Sequence, residues 1–244
     1  MLITSRPLDE YCAFFGLSRA ALAALPGPLL DCPGGASGLV AEARALGCRA
    51  VAVDPAYTRP TAELLAEAER ARRVMAAAMA ARPWQYLSPR HQPHDKYLRS
   101  WDRARALFAA DRAAHPECYL PAALPVLPFA DGEFALTLSS YLLFAYPDRF
   151  PPAAQLAGLL ELVRVTAPEG EVRVHPLHDA ASRRSPHLAE LRSALGRHRV
   201  CSELRTVRAP GDGRRRYVLV LSRHRVRPAA ARPAGPLAAA GRAG

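Results

Sequence analysis

The chain is almost without lysine: of its 33 basic residues only Lys96 is not an arginine. Its five cysteines (Cys12, Cys32, Cys48, Cys118 and Cys201) lie far apart and form no C-x-x-C pair. That spacing gives no sign of a zinc knuckle or a disulfide framework, so reduced thiols in a cytoplasmic protein are expected. No run of about 18 apolar residues occurs, and Asp9 and Glu10 fall where a secretory signal needs an unbroken apolar stretch. A soluble chain with no membrane partner is the expectation. Acidic residues are also scarce at one end. Residues 1–182 carry 18 Lys/Arg against 19 Asp/Glu, whereas residues 183–244 carry 15 against 3, so the whole net charge of +11 arises in the last quarter. Such a patch can serve nucleic acid. An Arg-, Ala- and Pro-heavy composition is also what a GC-rich genome yields without selection for binding, and that reading is preferred.

The 244 residues suffice for one α/β domain with a single core. Leu29-Leu30-Asp31 reads as a strand opening into Cys32-Pro33-Gly34-Gly35-Ala36-Ser37-Gly38. Leu39, Val40, Ala43 and Leu46 follow at helical spacing, and Ala50 to Asp54 is a buried strand ending in a carboxylate. This is a β-loop-α-β unit, half of a Rossmann arrangement. A helix is predicted over 59–82, with Leu64, Ala68, Ala71, Met75 and Met79 on one face. Residues 83–101, broken by Pro83, Pro89 and Pro93 and holding Trp84 and Trp101, read as an insertion longer than an ordinary crossover needs. A helix bearing Trp101, Ala104 and Phe108 then leads to His115.

Beyond it, strands are predicted at 118–120, 134–140 and 171–175. A helix through Leu156, Leu159, Leu160 and Val163 stops at Pro168 and Gly170. Ser185 and Pro186 suggest the start of a helix closed by Gly196. Two strands, 200–207 and 217–223, complete a domain spanning 1–225, and residues 226–244 read as a disordered tail.

Glycines before a helix amino terminus permit close backbone approach, and unpaired N–H groups there favour an anion. Alone, Gly34-Gly35-Ala36-Ser37 suits a pyrophosphate or a plain turn equally well. Asp54 adds specificity: 23 residues after Asp31, at the end of the next strand, a carboxylate can accept hydrogen bonds from both hydroxyls of a ribose.

Taken together, Leu29 to Ser37, Ala52-Val53-Asp54, Leu127-Pro128-Phe129-Ala130-Asp131-Gly132-Glu133-Phe134, Leu160-Glu161-Leu162-Val163-Arg164-Val165 with Pro168-Glu169-Gly170, and the closing strands resemble the class I S-adenosylmethionine-dependent methyltransferases. The likeness spans about residues 29–223. It implies a three-layer α/β/α sandwich, a Rossmann-like fold with a seven-stranded, mostly parallel sheet whose last strand runs antiparallel, and S-adenosyl-L-methionine as cofactor. The cofactor-binding residues it implies are Asp31, Cys32, Gly34, Gly35, Ser37, Asp54, Pro55, Tyr57, Ala123, Leu124, Ser139 and Ser140. The chain departs from the pattern at Pro33 and Ser37, which replace glycines, at Ala123, which replaces an adenine-binding Asp or Asn, and at Ala135.

Methyl transfer to an O or N nucleophile asks mainly for alignment, with a base only where the nucleophile is protonated. Tyr141, His175 and His178, just beyond the fourth and fifth strands, are the candidate catalytic residues. No metal is expected; His175 and His178 also read simply as histidines of a polar loop. Residues 83–101 are a candidate substrate lid, or else a helical cap. The aromatics Tyr11, Phe14 and Phe15 should pack over the same end of the sheet. A small-molecule acceptor leads. Two alternatives stay open: an RNA or protein methyltransferase using the basic region, and a non-catalytic cofactor-binding or interaction protein with a degenerate methyltransferase fold. Ser139-Ser140-Tyr141-Leu142 stands where base amino-methylation would favour an N-P-P-Y-like sequence.

Overall fold

The computed structural model describes residues 2–81, 94–179, 181–208 and 215–223. Two short helices, α1 (Leu8–Phe15) and α2 (Arg19–Ala23), precede the sheet. The chain then runs β1 (Leu29–Asp31), α3 (Leu39–Ala45), β2 (Ala50–Val53), a 3-10 turn at Pro55–Thr58, α4 (Thr61–Ala81), α5 (His94–Ala114) and β3 (Tyr119–Leu120). It continues through β4 (Phe134–Ser140), α6 (Pro152–Val165), β5 (Thr166–His175), α7 (Leu188–Arg197), β6 (Val200–Arg208) and β7 (Arg215–Arg223).

The seven strands form one sheet in the order β3-β2-β1-β4-β5-β7-β6. All pairings are parallel except those of β7, which runs antiparallel to both β5 and β6. This is the architecture that the resemblance implies. β1 is buried at every position and β2 at three of four, because helices cover both faces of a parallel sheet and leave no wet side. One core joins Leu29, Ala52, Leu138 and Val220 to α1, α3 and Phe108 of α5. The other joins Leu30, Val53, Val174 and Leu219 to α6 and α7. Trp101 and Phe108 are wholly buried, as their spacing predicts.

Several boundaries differ from expectation. The helix expected from Ser185 starts at Leu188, because Ser185 N–H donates to Leu177 O and a bridge between His178 and Arg184 holds that stretch extended. It runs past Gly196, and Arg199 takes the left-handed conformation instead (φ 59°). β5 begins at Thr166, directly after α6, so neither Pro168 nor Gly170 is needed to stop the helix. Thr166 Oγ1 donates to Leu162 O at 2.6 Å and marks the changeover. Gly170 instead serves the strand, since a Cβ there would meet Ala135 O at 2.6 Å. Residues 83–93 of the expected lid lie outside the described residues, as does the tail; residues 94–101 form the first turns of α5. Among the described residues no helix is long and apolar enough to cross a membrane.

The Glu161/Arg164 pair has a structural task. Glu161 Oε1 accepts from Leu127 N at 2.7 Å, while the Arg164 guanidinium donates to Phe129 O, Leu127 O, Asp131 and Glu161. Together they bolt the loop entering β4 to α6. Replacing Arg164 by Met keeps the aliphatic stem and removes these bonds, two of which satisfy loop carbonyls. Arg164→Met is therefore expected to lower unfolding free energy by about 1–2 kcal/mol in urea titration; an unchanged midpoint would show that water substitutes fully.

Candidate functional site

The parallel strands β2, β1 and β4 bring their carboxyl ends to one edge of the sheet. After β1 the chain turns through Cys32–Gly38 into α3, and every backbone N–H from Gly34 to Gly38 is committed inside the protein. Gly34 donates to Val53 O, Gly35 to Asp54 Oδ2, Ser37 to Gly34 O, Ala36 to Thr4 O and Gly38 to Arg6 O. The last two acceptors belong to an irregular strap, Leu2–Pro7, that crosses the loop. Gly34 must be bare because Tyr57 Oη and Ala52 Cβ occupy the place of a side chain, and Gly35 sits at φ 55°.

Asp54 directly follows β2 and caps the 3-10 turn. Its Oδ1 accepts from Ala56 N at 2.9 Å and its Oδ2 from Gly35 N at 3.1 Å. Burial pushes its pKa up, and the two backbone donors oppose that shift. The carboxylate lines a cavity of about 180 Å³ walled by Pro33, Pro55, Ala56, Tyr141 and Leu142, with Leu2 and Ile3 as roof. Ligand clefts commonly measure about 300–1,000 Å³. The cavity thus admits part of a nucleoside-sized molecule, and the remainder must extend through its open side or displace Leu2 and Ile3.

Beneath the loop lies a buried polar network. Asp31 Oδ2 accepts from Tyr11 Oη at 3.0 Å and from Ser37 Oγ at 3.2 Å, and Ser140 Oγ donates to Tyr11 Oη at 3.4 Å. Asp31 is completely buried and its Oδ1 has no partner. Burial drives its pKa up to about 8, against the Tyr11 and Ser37 hydrogen bonds. Burial raises the Cys32 thiol as well.

His175 ends β5, stacked on Phe14 at 4.9 Å and edge-on to Tyr141 at 5.9 Å. Its Nδ1 lies 3.3 Å from Tyr217 O. A carbonyl only accepts, so Nδ1 carries the hydrogen and Nε2 is the open acceptor. Burial lowers its pKa to about 3, which keeps the ring neutral and makes it a weak base at neutral pH. Tyr141 holds φ 51°, a conformation a bulky residue rarely adopts. His178 Nδ1 contacts Asp179 O, while the Asp179 carboxylate accepts from Ala181 N and Arg183 N. These contacts organise a turn.

Of the residues singled out by sequence, Asp54, Pro55 and Tyr141 share the cavity, while Asp31, Ser37 and Ser140 share the buried network. Ser37 therefore spends its hydroxyl on Asp31. Tyr57 is core, donating to Gly35 O and packed on Phe108 and Tyr119. Ser139, one residue from Ser140 on the strand, is buried with no partner for Oγ. Cys32 and Leu124 join the core on the α6 side, and Ala123 bridges to Val126. Tyr11, Phe14 and Phe15 cover this end of the sheet, as expected. Arg216 also reaches it, its guanidinium 5.9 Å from the Phe14 ring; Arg214 lies outside the described residues. Sequence reading missed Leu2, Ile3, Arg6 and Glu10. An arginine carries no signal in an arginine-rich chain, and a roof depends on where a strap without regular structure happens to lie.

No family model and no curated protein matches the sequence. Among solved structures, the chain is similar to 1,6-didemethyltoxoflavin-N1-methyltransferase of Burkholderia thailandensis, solved with 1,6-didemethyltoxoflavin and S-adenosylhomocysteine (TM-score 0.46, 17% identity, 84% of this chain and 76% of that one). It is also similar to magnesium protoporphyrin IX methyltransferase of Synechocystis PCC 6803, solved with SAM (0.43, 14%, 84% and 74%). A third is a SAM-dependent methyltransferase from Aquifex aeolicus (0.41, 14%, 88% and 93%). Likeness at this level carries no correspondence of residues, and the fold rests on the strand order itself.

The Asp31 network has a pH signature. An unfolded aspartate titrates near 4, so between about pH 4 and 8 the folded state holds a proton that the unfolded state has released. Stability from this group is full below the lower value, falls as pH rises, and is lost above about 8. Asp31→Asn removes the titration. Urea unfolding at mildly acidic and mildly alkaline pH should show wild type losing more stability than Asp31→Asn as pH rises, by an amount on the order of 1 kcal/mol per pH unit; parallel curves would refute the buried-proton assignment.

Proposed function

We propose that this chain is an S-adenosylmethionine-dependent methyltransferase acting on a small-molecule acceptor in the cytoplasm. The observation that carries the reading is Asp54: a carboxylate at the end of β2, facing a cavity beside the glycine loop, where strand order reverses around β1. That edge is where open parallel sheets bind nucleotide-like ligands. The donor set fits the nucleoside half of the cofactor. A carboxylate offers about four acceptor positions; Gly35 and Ala56 take one each, and the remainder can receive the ribose hydroxyls, with Pro33, Pro55 and Leu142 as apolar walls for the base. The methionine half falls toward Asp31, whose unpartnered Oδ1 carries the proton while the site is empty and becomes an acceptor for an ammonium group once that proton is lost.

When bound, the cofactor supplies a methyl group already activated by its sulfonium. What this chain contributes is position and exclusion of water. Leu2 and Ile3 cover part of the cavity, and Tyr141, shared between the cavity lining and His175, forms the wall past which an acceptor enters. The neutral His175 offers Nε2 as a hydrogen-bond acceptor that orients an acceptor hydroxyl or amine; a pKa of about 3 suits it to holding a proton in place rather than removing one. His178, in the adjoining turn, is the lesser candidate. Small-molecule substrates are favoured because the described basic residues near the cavity are few: Arg59 in its lining, already paired with Glu63 and Glu67, and Arg6 and Arg216 beside Tyr141 and Phe14, too few for a nucleic-acid track.

Calorimetric titration with S-adenosylhomocysteine tests the assignment. Asp54→Ala should weaken binding by about 2–3 kcal/mol, roughly 30- to 150-fold, with Asp54→Asn intermediate because one acceptor oxygen survives. Equal affinity in all three proteins would remove Asp54 from the site, and failure of the wild type to bind would move the chain to the non-catalytic alternative.

A further inference from the structure

Against Tyr141, and outside the rest of the Asp54 cavity's lining, lies a cage that none of the proposed cofactor contacts uses. Its walls are three aromatic rings from three elements: Phe14 of α1, Trp101 of α5 and Tyr141 after β4. Its floor is the Glu10 carboxylate, held by Trp101 Nε1 and by the Tyr97 hydroxyl. The occupant is the chain's own Arg6. Its guanidinium carbon stands 4.0 Å from the Tyr141 centroid, 5.2 Å from Trp101 and 5.5 Å from Phe14, and Nη1 donates to Glu10 Oε2 at 2.7 Å. Arg6 Nε is buried without a partner, so the fit is incomplete even for this occupant.

Walls and occupant are built differently. Glu10, Phe14 and Trp101 sit on helices, and Glu10 keeps two neutral donors when Arg6 is removed. Arg6 arrives on the strap Leu2–Pro7, which has no regular structure and is fastened by Thr4 O and Arg6 O to the glycine loop and by Leu2 N to Tyr146 Oη at 3.2 Å. The same strap roofs the cavity beside Asp54 with Leu2 and Ile3. Any motion that opens the cavity to a full-sized cofactor also tends to draw Arg6 from its cage. An emptied cage holds a buried carboxylate ringed by π-faces, an arrangement selective for a cation because an unpaired buried charge is costly and aromatic faces attract positive groups. Tyr141, at φ 51°, presents its ring to Arg6 and also lines the Asp54 cavity, so cage and cavity share this residue.

We infer that this cage is a binding subsite for a guanidinium- or ammonium-bearing group of the methyl acceptor, with Arg6 as an internal stand-in that fills it while the strap is closed. The acceptor role rests on the methyltransferase reading; the cation site does not.

The test uses the full chain in a Trp84→Phe background, so that Trp101 is the sole tryptophan and is excited selectively beyond the tyrosine band, with methylguanidinium chloride as probe and sodium chloride at equal ionic strength as control. Arg6→Ala should show saturable change in Trp101 emission and a rise in Tm at millimolar methylguanidinium, whereas the chain with Arg6 intact shows neither. Adding Glu10→Gln to Arg6→Ala should weaken the response at least about tenfold. Should Arg6→Ala fail to fold alone, restoration of its near-ultraviolet dichroism by methylguanidinium supports the subsite. A fold that the probe does not restore, or a folded Arg6→Ala or Arg6→Gln with no saturable response, overturns it and leaves Arg6 a structural bolt. Titrating the same variants with S-adenosylhomocysteine separates the two readings. Cofactor binding without a probe response removes only the subsite, and a probe response without cofactor binding keeps the cation site and removes its link to methyl transfer.

Discussion

Two backbone hydrogen bonds, Ala36 N–H to Thr4 O and Gly38 N–H to Arg6 O, govern how the functional end of this molecule is assembled. A glycine-bearing loop ahead of a helix exposes N–H groups that must find acceptors. Here the strap provides two of them. In doing so it brings Leu2 and Ile3 over the Asp54 cavity and swings Arg6 against Tyr141 and Trp101. The roof, the filled cage and the start of α1 all follow from where those carbonyls are pinned, and Leu8 N–H, donated to Glu42 of α3 at 2.9 Å, extends the same seam.

Three carboxyl groups within this region, two buried and one part-buried, meet three different fates, set by what each can accept. Among the described residues Asp31 receives hydroxyl donors only, and burial leaves it protonated near neutrality. Asp54 receives two backbone N–H groups and keeps a face to the cavity, which suits it to further hydrogen bonds. Glu10, part-buried, faces the Arg6 guanidinium and forms a close ion pair with it. Charge is thereby concentrated at the cage while the floor beneath the loop stays neutral. His175, held neutral between Phe14 and the Tyr217 carbonyl, completes that division.

The motifs themselves divide in the same manner. Glu161 and Arg164, read from the chain as part of a family signature, bolt the β4 entry loop to α6 and do not approach the cavity. Of the residues named as cofactor-binding, Tyr57 lies in the core and Leu124 packs, partly buried, against the cluster on the α6 side. Position along a Rossmann-like chain identifies the end of the sheet to which a residue belongs, yet side chains one residue apart on a strand face opposite layers, as Ser139 and Ser140 do.

Hydrophobic period and glycine placement alone determined the alternation of strands and helices, the buried faces of α4 and α5, and the acid at the end of β2, because these depend on neighbours three or four residues away or on one backbone turn. Strand boundaries at Thr166 and the late start of α7 were decided by partners remote in sequence, such as Ala135 against Gly170 and Leu177 against Ser185. The tertiary structure alone decided the chemistry of the site. Glu10 meets Trp101 across 91 positions of sequence and Tyr11 meets Ser140 across 129. No local pattern encodes such pairs, since a buried charge acquires its character only from the groups that folding brings around it.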